Sequence, residues 1–310
     1  MLTKNETGKF RGRKVGVVLG GDSDERDVSL RTGRALTQAL RSLGYDVGVY
    51  DVPGDVERLV SERPAAVLLG LHGGNGENGV FQGFLEALGI PYSGSGVLAS
   101  ALAMDKARAK ALFRTADVPT AASLFIAPDA LETFDVAAVG ATLGWPLVAK
   151  VNDGGSSVGV HLCADADALH AALRSVRGGV LLEEYIAGAE YTVGFFDDVC
   201  LGVIEVQAGN AFYDYDAKYA SKTTQYIPLE AGDLHERLVA VARRTYETLG
   251  CRGVARIDVL SRERELFVLE ANTIPGMTET SLVPKMAHRL GIEFDVFAER
   301  MLDAARLDKR

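Results

Sequence analysis

Leu269-Glu-Ala-Asn-Thr-Ile-Pro-Gly-Met-Thr-Glu-Thr-Ser-Leu-Val-Pro-Lys285 is the stretch that decides the fold. Phe267 to Asn272 alternates like a strand, so Glu270 and Asn272 are expected on one face. An earlier apolar run, Val254 to Leu260, carries Arg256 and Asp258. The charged turn Ser261 to Glu265 predicts an antiparallel hairpin that brings Asp258 near Glu270. Two carboxylates and an amide oxygen on one sheet face make an all-oxygen site suited to Mg²⁺. The plainer reading is a surface hairpin with solvated acids. It loses ground because the Gly and Ser that follow are also placed for chemistry.

The chain has 310 residues, room for two or three compact domains. Hydrophobic residues make up 47%, which excludes a disordered chain. A net charge of -9 argues against nucleic acid as a main partner. Cys163, Cys200 and Cys251 are far apart and read as reduced packing residues. The polar start has no apolar core of a signal peptide, and no run has membrane-spanning length, so a cytoplasmic enzyme with no membrane partner is expected.

Upstream, Lys14 to Leu19, Tyr45 to Val52 and Ala65 to Leu71 read as strands, with a helix over 28–43. That alternation predicts a parallel α/β unit with its active edge at the strand C-termini. Glycine-rich loops lie there, at Gly20-Gly21 and His72 to Gly79. A helix is expected over 104–115, carrying Lys106 toward a cleft. Strands follow at Pro146 to Val151 and Val180 to Ile186, and a last helix over 296–305.

Lys150 precedes Gly154-Gly-Ser-Ser157, where small residues let backbone N–H groups approach phosphate and the lysine adds charge. The alternative is an ordinary glycine hairpin. Arg256, two residues before Asp258, projects from the same face and suits charge building up at a reacting centre; a plain salt bridge is the alternative. The Gly276 N–H can serve an oxyanion. Ser281-Leu282 opens a helix whose free N–H groups suit a carboxylate, or Ser281 simply caps it. Glu25, at a helix entry, suits a substrate ammonium or the helix dipole. His72 is the one histidine in a glycine loop and is taken as a substrate-side residue.

These motifs, in order and over about Val15 to Leu302, resemble a D-alanine–D-alanine ligase of the ATP-grasp superfamily. The resemblance rests on Gly20-Gly-Asp-Ser-Asp-Glu-Arg-Asp-Val-Ser-Leu30, Leu71-His-Gly73 with Gly76-Glu77, Gly94 to Ser100, and Met104-Asp-Lys106. It rests equally on Gly155-Ser-Ser-Val-Gly159, Tyr213 to Tyr219, and Asn272 to Thr278. It implies an α/β, three-domain ATP-grasp fold with an N-terminal parallel Rossmann-like sheet. The units would be 1–94 on the substrate side, 95–184, and 185–310, the last two clasping ATP.

By the same resemblance Lys106 and Lys150 would contact the nucleotide. Glu183 and the backbone near Tyr185 and Ile186 would read adenine, and Glu190 the ribose. Lys218 would reach the terminal phosphates from a lid over about 209–225. Asp258, Glu270 and Asn272 would hold two Mg²⁺, with Mn²⁺ able to substitute. Glu25 would take the ammonium of the first D-alanine, hydrogen-bonded with Ser156 and Tyr219. Arg256 and the Gly276 N–H would steady the tetrahedral intermediate, and Ser281 with the Leu282 N–H the second carboxylate. The family is commonly dimeric, so a homodimer is implied.

The chain departs from the family pattern at Val151, usually proline, and at Gly154, often acidic. Asn78 and Asp27 replace the more usual Asp and Glu. Ala217-Lys-Tyr219 looks like the dipeptide-forming type, favouring D-alanine over D-serine or D-lactate as second substrate. A non-catalytic nucleotide-binding protein would lack some ligand or lysine, and none is missing. A dinucleotide-binding dehydrogenase fails because Gly20 to Glu25 lacks the third glycine and carries acids.

Overall fold

The computed structural model describes residues 8–131, 133–155, 159–207, 224–278 and 280–308. Ser156, Lys218, Tyr219 and nearly all of the expected lid lie outside the described residues, as does Ala217.

Three sheets organise the described residues. The first is parallel, with β1 (Val15–Gly20) between β2 (Val47–Val52) and β3 (Val67–Leu69). All six β1 residues are buried, as expected of a central parallel strand covered on both faces. Helix α1 (Arg26–Ser42) lies on one face, where Gly33 permits the contact: a Cβ there would meet Leu19 Cβ at 2.5 Å. Ser29 Oγ accepts from Gly20 N at 2.9 Å and donates to Gly70 O at 2.9 Å. The start of α1, with Glu25 before it, is thus fixed at the C-terminal edge of the sheet.

Helices α2 (Val56–Glu62), α3 (Gly74–Glu77) and α4 (Val80–Leu88) complete this layer, and α5 (Val97–Met104) and α6 (Lys106–Thr115) follow. The single helix expected over 104–115 is therefore corrected: Met104 ends α5 and Lys106 begins α6. Asp105 is extended between them, and its Oδ1 accepts from Arg108 N at 3.0 Å. That carboxylate satisfies one of the donors at the start of α6.

The second sheet is antiparallel: β4 (Ser123–Ile126), β5 (Leu147–Val151), β6 (Val160–Cys163) and β7 (Val180–Glu184), in the order β4-β7-β5-β6. Helices α7 (Val136–Leu143) and α8 (Ala166–Ser175) pack on one face through Val139, Leu143, Leu169 and Leu182. The other face carries Lys150 and Glu183.

The third sheet holds β8 (Ala189–Phe196), β9 (Val199–Gln207), β10 (Gln225–Pro228), β11 (Val254–Arg262) and β12 (Glu265–Asn272), ordered β10-β9-β8-β11-β12. Helix α9 (Asp233–Thr248) covers one face. Helices α10 (Leu282–Arg289) and α11 (Phe294–Asp303) share a core with α1 and β1. Phe196 on β8 meets Phe297 on α11 edge-on, centroids 5.7 Å apart, which ties the third sheet to the first layer. The cysteines are free, with Cys163 buried, in keeping with packing roles. Among the described residues no helix is long and apolar enough to cross a membrane.

Candidate active site

The expected hairpin is present, with a tighter turn. Strand β11 runs to Arg262 and β12 starts at Glu265, leaving Glu263 and Arg264 as the turn; Glu263 takes φ 56°. Asp258 pairs with Glu270 and Arg256 with Asn272. The even alternation expected for Phe267 to Asn272 is interrupted. Val259 pairs with Val268, so Leu269 is an extra residue in a bulge. Leu266, Val268 and Ala271 are buried, with the parity changing between the last two. Without the bulge, Glu270 would share the buried face with Val268. The bulge turns Glu270 and Asn272 toward the cleft.

Asp258 is buried and fully engaged. Its Oδ1 accepts from Thr192 Oγ1 at 2.7 Å and Arg256 Nε at 2.9 Å; its Oδ2 accepts from an Arg256 guanidinium nitrogen at 2.7 Å and Asn272 Nδ2 at 3.1 Å. Arg256 is salt-bridged to Asp258 and stands on the cleft face. A carboxylate only accepts, so Asn272 must turn its nitrogen to Asp258 and its oxygen away. The Glu270 carboxylate lies 3.4 Å from Lys106 Nζ. Glu270 and the outward Asn272 oxygen are hard donors, and Asp258 adds a third once one of its four bonds yields, so these residues fit Mg²⁺. Among the described residues no group of three or more His, Cys, Asp or Glu forms a metal cluster, because the third donor here is an amide.

Lys106 also donates to Gly154 O at 2.6 Å, so it bridges the third sheet and the glycine loop after β5. Asn152 anchors that loop to α6. Its Nδ2 donates to Asp105 Oδ1 at 2.9 Å and its Oδ1 accepts from Ala107 N at 2.8 Å. Neither Asp105 nor Asn152 was singled out from the sequence, although Asp105 stands in the Met-Asp-Lys motif.

Farther along the cleft, Glu183 is buried on β7. Lys150 meets its Oε2, and Lys110 Nζ lies 2.5 Å from its Oε1. Burial works against its charge, yet Lys150 and Lys110 together hold it below the usual carboxylate range. Its Oε1 takes the Lys110 ammonium and keeps a lone pair for one further donor. A buried, ionised carboxylate with acceptor capacity to spare suits an amino N–H such as that of adenine. Tyr185 and Ile186 follow β7 at once, and Glu190 opens β8 on the same face as Thr192 and Asp258.

The other end of the cleft gathers Glu25, His72 and the loop before α10. Glu25 lies against two glycines from different layers: a Cβ on Gly73 or on Gly155 would stand 2.5 Å from Glu25 Oε2. His72 is buried, with Nε2 2.9 Å from Thr32 Oγ1 and Nδ1 3.7 Å from Glu77 Oε1. Thr32 Oγ1 also accepts from Met277 N at 3.3 Å, which links His72 to the loop of Gly276. Ser281 stands at the start of α10 without a side-chain cap bond. Its hydroxyl accepts from Thr278 N at 3.0 Å instead, so simple capping does not describe it. Gly276 is close by, where a Cβ would lie 2.9 Å from Ser281 Oγ.

The comparisons with known proteins point to one family of ligases. A family model described as the D-ala D-ala ligase C-terminus matches residues 112–303. A D-alanine–D-alanine ligase of Anaeromyxobacter sp. (strain K) is 45% identical, over 96% of this chain and 98% of that protein. One from Geobacter sulfurreducens is 43% identical, over 99% and 97%. The crystal structure of the Bacillus anthracis D-alanine–D-alanine ligase complexed with ATP superposes with a TM-score of 0.84 at 32% identity, covering 94% of this chain and 97% of that one. The VanG D-Ala:D-Ser ligase from Enterococcus faecalis superposes at 0.81 with 27% identity, covering 94% and 99%.

Proposed function

This chain belongs to the D-alanine–D-alanine ligase family, and from that premise we propose that it joins two D-alanines at the expense of ATP, through an acyl phosphate, for peptidoglycan precursor synthesis. The observation that carries this reading is one sheet face bearing Arg256, Asp258, Glu270 and Asn272, with Lys106 bridging it to the glycine loop.

A carboxylate is a poor electrophile, so the first D-alanine is phosphorylated before the second attacks. Glu25 holds the ammonium of the first D-alanine. Its carboxylate lies against Gly155, beside the phosphate-binding loop, which supports placing that substrate where the phosphoryl group arrives. His72 sits on the same side and steadies the loop of Gly276 through Thr32. Lys106 and Lys150 offset phosphate charge, with Lys218 doing the same from the lid. Glu183 and the backbone of Tyr185 and Ile186 read adenine, and Glu190 the ribose. Asp258, Glu270 and Asn272 hold two Mg²⁺ ions, which supply charge neutralisation for the moving phosphoryl group.

The amine of the second D-alanine then attacks the acyl phosphate carbonyl. Arg256 and the Gly276 N–H stabilise the oxyanion, and phosphate leaves. Ser281 and the Leu282 N–H receive the second carboxylate. Acyl phosphates hydrolyse readily, so Ser156 and Tyr219 close the site with Glu25 and the lid excludes water. The three sheets, within 15–69, 123–184 and 189–272, support units of 1–94, 95–184 and 185–310. A cytoplasmic homodimer, with neither membrane nor nucleic acid as partner, completes the reading.

Phosphate release with ATP, Mg²⁺ and D-alanine, with the product identified by mass, tests it. Release with D-alanine but not L-alanine, together with the dipeptide, is expected. Release that instead requires D-serine or D-lactate as acceptor would overturn the choice of second substrate.

A further inference from the structure

Helix α6 carries a second lysine one turn beyond Lys106. The two stand four residues apart and so share a helix face. Lys106 reaches the metal-site end of the cleft, at Glu270 and Gly154. Lys110 reaches the other end and is 1% exposed. Its Nζ contacts Glu183 Oε1 and donates to Thr120 Oγ1. Thr120 Oγ1 donates to Val268 O at 2.8 Å, and Val268 N donates to Pro119 O at 2.8 Å. Lys110 therefore stands where α6, β7 and β12 meet, between the two sheets that flank the cleft.

Lysine is almost never buried to this extent without a partner, and the partner here is a carboxylate that is buried as well. Glu183 has a cation for each oxygen, Lys110 at one and Lys150 at the other. The two cations differ in freedom. Lys150, 8% exposed against 1% for Lys110, is the next-to-last residue of β5 beside the glycine loop, where nucleotide phosphates can draw it away from Glu183. Lys110 is walled in by Thr120 and Glu183 and cannot follow. A buried carboxylate left without any cation takes up a proton. Once protonated, Glu183 loses its charge as an acceptor for an amino group and can present a donor instead.

We infer that Lys110 is a positioning residue that keeps Glu183 ionised and aimed at the 6-amino group of adenine when Lys150 turns to phosphate, an inference that rests on the reading of Glu183 as the adenine acceptor. The charged groups facing this carboxylate are Lys110 and, more distantly, Arg114 from α6, and Lys150 from β5; β4 presents Ser123 in register. The titration directions agree with a closed pair. Burial pushes Lys110 down while Glu183 pulls it back up, and the two lysines outweigh burial at Glu183. Oε1 meets the Lys110 ammonium and, with two lone pairs, can accept an N–H from the base as well.

The test compares ATP with inosine triphosphate, in which a carbonyl replaces the 6-amino group. Lys110→Met is expected to lower kcat/KM for ATP about tenfold or more, mainly through KM, and to shrink the preference for ATP over inosine triphosphate by a similar factor. The KM for D-alanine should stay near its wild-type value. Loss of the cation raises the pKa of Glu183, so the acid limb of kcat/KM for ATP should move to higher pH. Lys110→Arg keeps the charge and should restore the preference.

Glu183→Gln separates the two readings. If it leaves the ATP preference intact, adenine recognition by Glu183 is wrong whatever Lys110 does. If it removes the preference while Lys110→Met keeps both the preference and the acid limb, the role of Lys110 is overturned. Should Lys110→Met fail to fold, the double variant Lys110→Met/Glu183→Gln removes both charges together. It is expected to match Glu183→Gln alone. A further fall in ATP affinity would mean that Lys110 does not act through Glu183, and would overturn the inference.

Discussion

Asp258 stands directly opposite Glu270 across the β11–β12 pair, but the two carboxylates are held very differently. Asp258 neutralises the mostly buried Arg256, whereas Glu270 is partly exposed beside Lys106. Removing one partner of a buried pair leaves an uncompensated charge and costs about 3 kcal/mol or more. Asp258→Asn should therefore lose both phosphate release and thermal stability. Glu270→Gln should lose phosphate release, on the order of a hundredfold, with a smaller fall in Tm, because Glu270 is partly exposed and Lys106 keeps its bond to Gly154 O. Melting curves beside an ATP- and D-alanine-dependent phosphate assay check the contrast. Retention of most activity in Glu270→Gln would remove it from the metal site.

Gly155 offers a way to disturb the first D-alanine through Glu25. A Cβ there would meet Glu25 Oε2 at 2.5 Å. The carboxylate is the far end of a flexible side chain and can step aside, so Gly155→Ala should fold normally. The step aside is itself the damage, since displacement of a positioning group by about 1 Å costs up to a hundredfold. The KM for the first D-alanine should rise about tenfold or more; the KM for ATP should rise less, because Gly155 stands in the loop assigned to phosphate but its added Cβ meets Glu25. Equal losses for both substrates would argue against Glu25 as the ammonium site.

How much of this was legible in the sequence varies residue by residue. The hairpin that brings Asp258 near Glu270 was legible because a short charged turn separates two apolar runs, whereas the direct pairing of the two depends on the tighter turn and the bulge. The strands of the first sheet were legible from their apolar runs, with ends off by a residue or two. The bulge at Leu269 was not, because it is set by pairing with β11 rather than by any local turn residue. The break at Asp105 was missed although a capping residue stood there. Lys110 was invisible because a lysine among alanines on a helix reads as solvated. Its burial depends on β7 and β12 closing over it from far along the chain. Ser156, Lys218 and Tyr219 rest on the resemblance alone.

Asp105 gives a prediction about pH. Burial works against its charge, but Asn152 and Arg108 outweigh burial and hold its carboxyl below the usual range. A depressed carboxylate stabilises the fold fully above its unfolded pKa of about 4, and that contribution is lost as pH falls through the folded value. Asp105→Ala should therefore lower Tm by a constant amount from neutral pH down to about 5, equivalent to about 1 kcal/mol for a lost cap. The gap to wild type should narrow below about pH 4. A difference that widens on acidification would contradict the assignment. Lys106 begins the capped helix, so kcat should fall as well.

Thr32 is the last lever, because one hydroxyl serves two parts of the site. It accepts from Met277 N at 3.3 Å and stands 2.9 Å from His72 Nε2. Having accepted from the backbone, it satisfies the imidazole best by donating, which places the ring proton on Nδ1, toward Glu77. Thr32→Val keeps the shape and strands both neighbours without a partner. The expected stability loss is about 1–3 kcal/mol for a buried unsatisfied group. Catalysis should suffer beyond that, because the Gly276 N–H and the start of α10 are positioned by the same loop. With correctly folded protein, kcat should fall about tenfold or more while the KM for ATP holds. Thr32→Ser keeps the hydroxyl and should recover most of the rate. A Thr32→Val enzyme with wild-type kcat would show that this buried link does not set the oxyanion loop.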